Sequence, residues 1–150
     1  MDGTSASLRE WAGFVFEHEG WHVSLWDSVK DLTPAQAAWA PSPSRNSIWQ
    51  IVDHVALWKD DGARRISKEP PRPAGWHAGV DWRPIPAATD AAWQKSLRSL
   101  REAHARVAAA LVTHGETDLG TIRGLIAHDS YHGGQICYLR ALQGVPVRVW

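Results

Sequence analysis

His128-Asp129-Ser130-Tyr131-His132-Gly133-Gly134-Gln135 is the stretch that decides how the chain is read. Histidines four residues apart stand one above the other on a helix, where both imidazoles address one point. That is how a helix offers two nitrogen ligands to a metal ion. A third histidine, His54, lies in a separate apolar run, Ile48-Trp49-Gln50-Ile51-Val52-Asp53-His54-Val55. Three neutral histidines from two helices leave a divalent metal with an open position for water or substrate, as catalytic sites do.

Outward from that octet, its helix starts near Thr121 and turns Leu125, His128, His132, Gln135 or Ile136, and Leu139 inward. Gly144 and Pro146 stop it. The helix of His54 opens on a capping-box pattern, Ser47-Ile48-Trp49-Gln50, and runs to about Ser67. Ile48, Ile51, Val55 and Trp58 form its apolar stripe, with His54 beside it. A further helix starts near Thr89-Asp90 and puts Trp93, Leu97, Leu100, His104, Val107 and Leu111 on one face, with Gly115 suited to its C′ position. The first helix is predicted from Ser7 to Lys30. It opens with Ser7-Leu8-Arg9-Glu10, and Leu8, Trp11, Val15, His18, His22, Leu25 and Val29 step by three or four. Thr33-Pro34 reads as the start of a short helical turn, ended by Pro41-Ser42-Pro43-Ser44.

The link lengths set the topology. The first and third are short enough to join antiparallel neighbours. The second, Glu69 to Ala88, is rich in proline and glycine and shows no period. It reads as a long ordered connection with Trp76 and Trp82 as anchors, able to run the length of a bundle. The expectation is an all-α, up-down-down-up four-helix bundle forming one domain over residues 1–150. At about 1.5 Å rise per residue, His54, His128 and His132 all fall near mid-helix.

Composition narrows the function. Lys+Arg and Asp+Glu both number 16 in 150 residues, so the net charge is zero with neutral histidine. That argues against a nucleic-acid or anionic-membrane binder. The single cysteine, Cys137, excludes an internal disulfide and points to a reducing compartment. No signal-like segment and no run of about 20 apolar residues is present, so a cytoplasmic protein is expected.

Other residues are weighed against simpler roles. His18-Glu19-Gly20-Trp21-His22 matches the H-E-x-x-H pattern of zinc proteases. A mid-helix glycine and the absence of a downstream third-ligand context count against that reading. His22 is instead expected half-buried, level with His54 across the hairpin, as a fourth ligand, proton shuttle or pocket neighbour. His104 is expected as a core histidine facing the same cavity. Trp58, one turn beyond His54, forms a pocket wall, and Gln135 holds a ligand or the substrate. Tyr131 donates a proton or packs against the first helix. Asp53 and Asp129 point about 100° away from the histidines they precede and are read as surface carboxylates. Cys137 is read as core.

The histidine helix begun by a serine, the His128-x-x-x-His132-x-Gly134-Gln135 ending, Leu32-Thr33-Pro34 and Trp39-x-Pro41 together resemble the DinB/YfiT-like superfamily of metalloenzymes over essentially the whole chain. The resemblance implies the up-down-down-up bundle, a homodimer, and one divalent metal on His54, His128 and His132. Zinc or nickel comes first, with iron, manganese or copper as further candidates. Relatives include thiol S-transferases and isomerases that use a low-molecular-weight thiol. The expected activity is therefore thiol transfer to a small electrophilic substrate, with a metal-dependent hydrolase or a non-catalytic metal-binding module as alternatives.

Overall fold

The computed structural model describes residues 3–18, 21–85, 87–114 and 118–146. Among these residues the chain is all helical, with α1 (Gly3–Glu17), α2 (Pro34–Ala38), α3 (Ile48–Ile66), α4 (Asp90–His114) and α5 (Leu119–Leu142), and no strand. The His54 helix is α3, the Thr89-Asp90 helix is α4 and the two-histidine helix is α5. Gly115, expected after α4, lies outside the described residues.

The capping patterns mark two of the starts. The Gln36 amide donates to Thr33 Oγ1 at 3.3 Å, and the Thr33 amide donates back to Gln36 Oε1 at 2.9 Å. Ser47 and Gln50 repeat the exchange at 3.2 and 3.1 Å. Each box satisfies amides that have no partner inside the helix. Asp118 caps α5 by accepting from the Thr121 amide at 2.9 Å, so that helix begins two residues before the predicted start.

The first helix is shorter than predicted. It ends at Glu17, and Leu25 and Val29, though in phase and buried, belong to turns beyond it. The Leu25 amide donates to the Val15 carbonyl at 3.1 Å and the Trp26 amide to Phe16 at 2.9 Å. The returning chain thus satisfies carbonyls that a continued helix would have used. The inward face of α1 is Ala12, Val15 and Phe16, while Trp11 and His18 are exposed.

On α4 the predicted face is buried at all six positions. Trp49 of α3 packs against Trp93 of α4, with ring centroids 5.0 Å apart, and its indole N–H donates to Ser96 Oγ at 2.9 Å. On its other side α3 meets α5 closely: a Cβ added to Gly62 would lie 2.7 Å from Leu125 Cδ1. Helix α1 packs on α4 and α5. The helices joined by short links, α1 with α3 and α4 with α5, are not among the extensively packed pairs of the described residues. The expectation of short-linked neighbours fails because α3 has two packed faces and fills the place between α4 and α5. Buried Arg140 ties α5 to the turns after α1, donating to the Ser28 carbonyl at 2.9 Å and to Asp31 Oδ1 at 2.6 Å.

Candidate metal centre

His54 from α3 and His128 and His132 from α5 meet with their Nε2 atoms turned inward. His128 Nε2 lies 3.1 Å from Nε2 of His54 and 3.1 Å from Nε2 of His132. The reason for the inward turn lies at the opposite ring nitrogens. His54 Nδ1–H donates to Asp81 Oδ1 at 2.7 Å, and His132 Nδ1–H donates to Gln135 Oε1 at 2.7 Å. Gln135 Nε2 donates in turn to Tyr131 Oη at 2.9 Å, which sets the amide's orientation. With Nδ1 protonated, each neutral ring keeps a bare lone pair on Nε2.

His128 Nε2 therefore faces two lone pairs, and a single proton there satisfies only one of them. Nitrogens each about 2.0–2.1 Å from a shared ion lie about 2.9–3.4 Å apart across the usual ligand angles. The two separations from His128 fall in that interval, and ligand nitrogens of all three residues lie within 4.8 Å of one another, a grouping that could hold a divalent cation. Burial, helped by its histidine neighbours, pulls the His128 pKa down to about 3. Burial also takes His132 to about 4, against the raising effect of the Gln135 bond. Both rings thus stay neutral near pH 7, the form that ligates metal.

Asp81 is the residue that helix periodicity missed. It lies in the long connection and accepts from three donors: His54 Nδ1–H, the Trp58 indole N–H at 3.0 Å and the Trp82 amide at 3.0 Å. A carboxylate behind a ligating histidine fixes its tautomer and raises its basicity. One sequence signal was present, since Asp81 is the sole acidic residue between Glu69 and Asp90. Trp82 takes a left-handed φ of 53°, rare for a bulky side chain, and its indole stacks on the His54 ring with centroids 4.0 Å apart. Trp76 anchors the same connection edge-on against Trp58, at 5.6 Å.

The remaining candidates are distributed as follows. Trp58 acts on the site through Asp81, and Gln135 and Tyr131 act through His132. His22 does not join the cluster; it is exposed, with Nδ1 3.0 Å from the Val23 carbonyl, because α1 has ended before it. His18 likewise lies beyond α1, and Glu19 and Gly20 of the H-E-x-x-H match lie outside the described residues. Asp53 faces Ser96 of α4. Cys137 is half-buried, and burial pushes its thiol pKa up.

Asp129 departs from expectation, while His104 is the core histidine expected but does not line the cavity. Asp129 is no surface carboxylate: it is buried and accepts from Lys59 Nζ at 2.6 Å. The same ammonium donates to His104 Nδ1 at 3.3 Å, and His104 stacks on Phe16 with centroids 3.8 Å apart. His104 therefore belongs to a sealed cluster behind the three histidines. Lys59 draws it there, because a buried ammonium needs acceptors on every side from which water is excluded.

The three histidines open onto a cavity of about 780 Å³ walled by Ile51, Leu139 and Leu142, with Tyr131, Tyr138 and Trp82 at its sides. Helical packing around convergent imidazoles in an open cavity defines a helical protein with a candidate metal centre. The sequence pattern of the DinB superfamily matches residues 24–143, and the chain belongs to that superfamily. No curated protein and no solved structure matches the chain.

Proposed function

We propose that the protein is a divalent-metal enzyme that holds its ion on His54, His128 and His132 and transfers or adds a low-molecular-weight thiol to a small electrophile. The carrying observation is the convergence of three Nε2 atoms, two of them fixed as lone pairs by hydrogen bonds at the opposite ring nitrogen. A divalent cation held by these three residues would supply Lewis acidity, easing deprotonation of a thiol or of water near neutral pH. Zinc or nickel suits three imidazoles, with iron, manganese and copper behind them.

The chain's own residues supply the rest. Asp81 and Gln135 hold two imidazoles in the ligating tautomer. Ile51, Leu139 and Leu142 make part of the cavity wall apolar. Tyr131 Oη accepts from Gln135, so its own proton is directed elsewhere and serves as a donor at the cavity side. No Asp or Glu is among the described residues lining the cavity, which favours a thiol over water because hydrolysis needs a separate general base. The same reading takes the long helices as an up-down-down-up bundle and the active unit as a homodimer. Trp11 and Val112, each more than half exposed, offer apolar contact area. Sedimentation at micromolar concentration is expected to return the dimer, and monomer alone removes that part.

Metal content of untagged protein tests the reading, wild type beside the His54→Ala/His132→Ala double variant. About one ion per chain in the wild type, lost in the variant, is the expected result. Thiol-transfer and hydrolase substrates then separate the two chemistries. No metal in the wild type, before or after reloading, overturns the mechanism.

A further inference from the structure

The cavity has an electrostatic polarity of its own. Its described lining contains no carboxylate, and Arg45 is its one residue with a permanent charge. Arg45 is exposed, its amide donates to the Ser42 carbonyl at 3.1 Å, and among the described residues no ion pair or side-chain hydrogen bond engages its guanidinium. Asn46 lines the cavity beside it and immediately precedes Ser47, the N-cap of α3. The nineteen-residue α3 thus presents its positive dipole end at that wall, with no acidic residue in its first turn. A guanidinium, a side-chain amide and a helix N-terminus are three features that favour an anion. Between this wall and the histidines the lining is apolar and aromatic.

We propose that the cavity takes an amphipathic carboxylate: its anionic end on Arg45 and Asn46, its apolar body along Ile51 and Leu139, and its reactive end toward the three histidines. One planar guanidinium beside largely apolar walls matches a single negative charge better than a dianionic phosphate. The proposal rests on the metal-enzyme reading for which end reacts. It does not rest on it for the carboxylate end.

The test is calorimetric binding of ω-mercaptoalkanoates of increasing chain length against the matching ω-mercaptoamides, on metal-loaded wild type, Arg45→Gln and Arg45→Lys. Each acid is expected to bind about tenfold tighter than its amide in the wild type, an advantage that shrinks with added salt. Arg45→Gln abolishes the advantage and Arg45→Lys keeps part of it. Simple alkanoates against alkanamides on metal-stripped protein separate the two readings. If the acid preference persists there while the thiol adds nothing to the loaded protein, the metal reading fails and the carboxylate site stands. Equal binding of acid and amide by the wild type, or an unchanged preference in Arg45→Gln, overturns the carboxylate site.

Discussion

Two groups of titratable side chains link α3 to α5 less than two helical turns apart, and they handle their polarity in opposite ways. His54, His128 and His132 bring three Nε2 atoms together on the wall of a cavity, two of them held as acceptors by bonds at Nδ1. Lys59 joins Asp129 Oδ2 and His104 Nδ1 behind that wall, where Lys59 and Asp129 side chains are each only 2% exposed. The sealed group gives its ammonium two acceptors, as burial demands, and leaves only Asp129 Oδ1 without a hydrogen-bond partner in the cluster. The open group leaves a common deficit, which is what a ligand site requires. Neighbouring residues of one helix, His128 and Asp129, belong to the two different groups.

The largest expected effect separates the groups by stability. Lys59→Met or Asp129→Leu alone strands a buried charge and is expected to cost about 3–5 kcal/mol, while the double variant recovers most of the loss. In a chain of this size that corresponds to a drop in Tm of roughly 10 °C or more. His54→Ala in metal-free protein is expected to change Tm far less, because no partner inside the trio depends on it. Thermal melts of the metal-free forms decide this. A His54 variant that melts as low as the Lys59 variant would show that the trio is structural.

The next effect reads on metal. Asp81→Asn keeps the shape but weakens the grip on His54 Nδ1–H, and a 10–100-fold loss of metal affinity is expected. Competition with a chromophoric chelator measures it, and stability of the metal-free protein should hardly move. Unchanged affinity would mean that the 2.7 Å bond to His54 does not tune the centre.

These two groups also show what was legible beforehand. The face of α4 and the caps of α2 and α3 follow from short-range rules, and the structure keeps them. The convergence of His54, His128 and His132 was legible because helical spacing aligns side chains within α5 and the apolar stripe of α3 has His54 beside it. The end of α1 was not, since Leu25 and Val29 keep helical phase while a returning chain takes over the helix's last carbonyls. The Lys59–Asp129 pair was hidden for a different reason. Periodicity assigns a charged residue to the surface, and only a partner on another helix reverses that. Asp81 sits in a connection with no period at all.

A smaller effect follows pH. His104 is pulled down to about 3 by burial first, then by the positive charges of Lys59 and Arg101. Below pH 6.5 the unfolded chain takes a proton at this ring and the folded one does not. Its share of stability is thus complete above pH 6.5 and is lost as the pH falls toward 3. By pH 5 about 2 kcal/mol of that share has been lost. His104→Asn retains an acceptor near Lys59 and cannot titrate. Urea unfolding of metal-free protein between pH 7 and 5 is expected to show a shallower decline in the variant. Parallel profiles would place the acid sensitivity on other groups.

The smallest effect concerns where strain is held. Trp82 keeps a left-handed φ of 53° beside the open group, where its amide and ring serve Asp81 and His54 respectively. For a residue with a Cβ that conformation costs about 1–2 kcal/mol, and it persists only where surrounding contacts over-determine it. Trp82→Ala and Trp82→Gly both remove the indole and differ only in that backbone cost. The glycine variant is therefore expected to be the more stable by about 1 kcal/mol, while both lose the cover over His54 to the same degree. Paired urea denaturation gives the difference directly. Equal stabilities would mean that the turn relaxes once the indole is gone, and that stacking on His54 is itself what holds Trp82 left-handed.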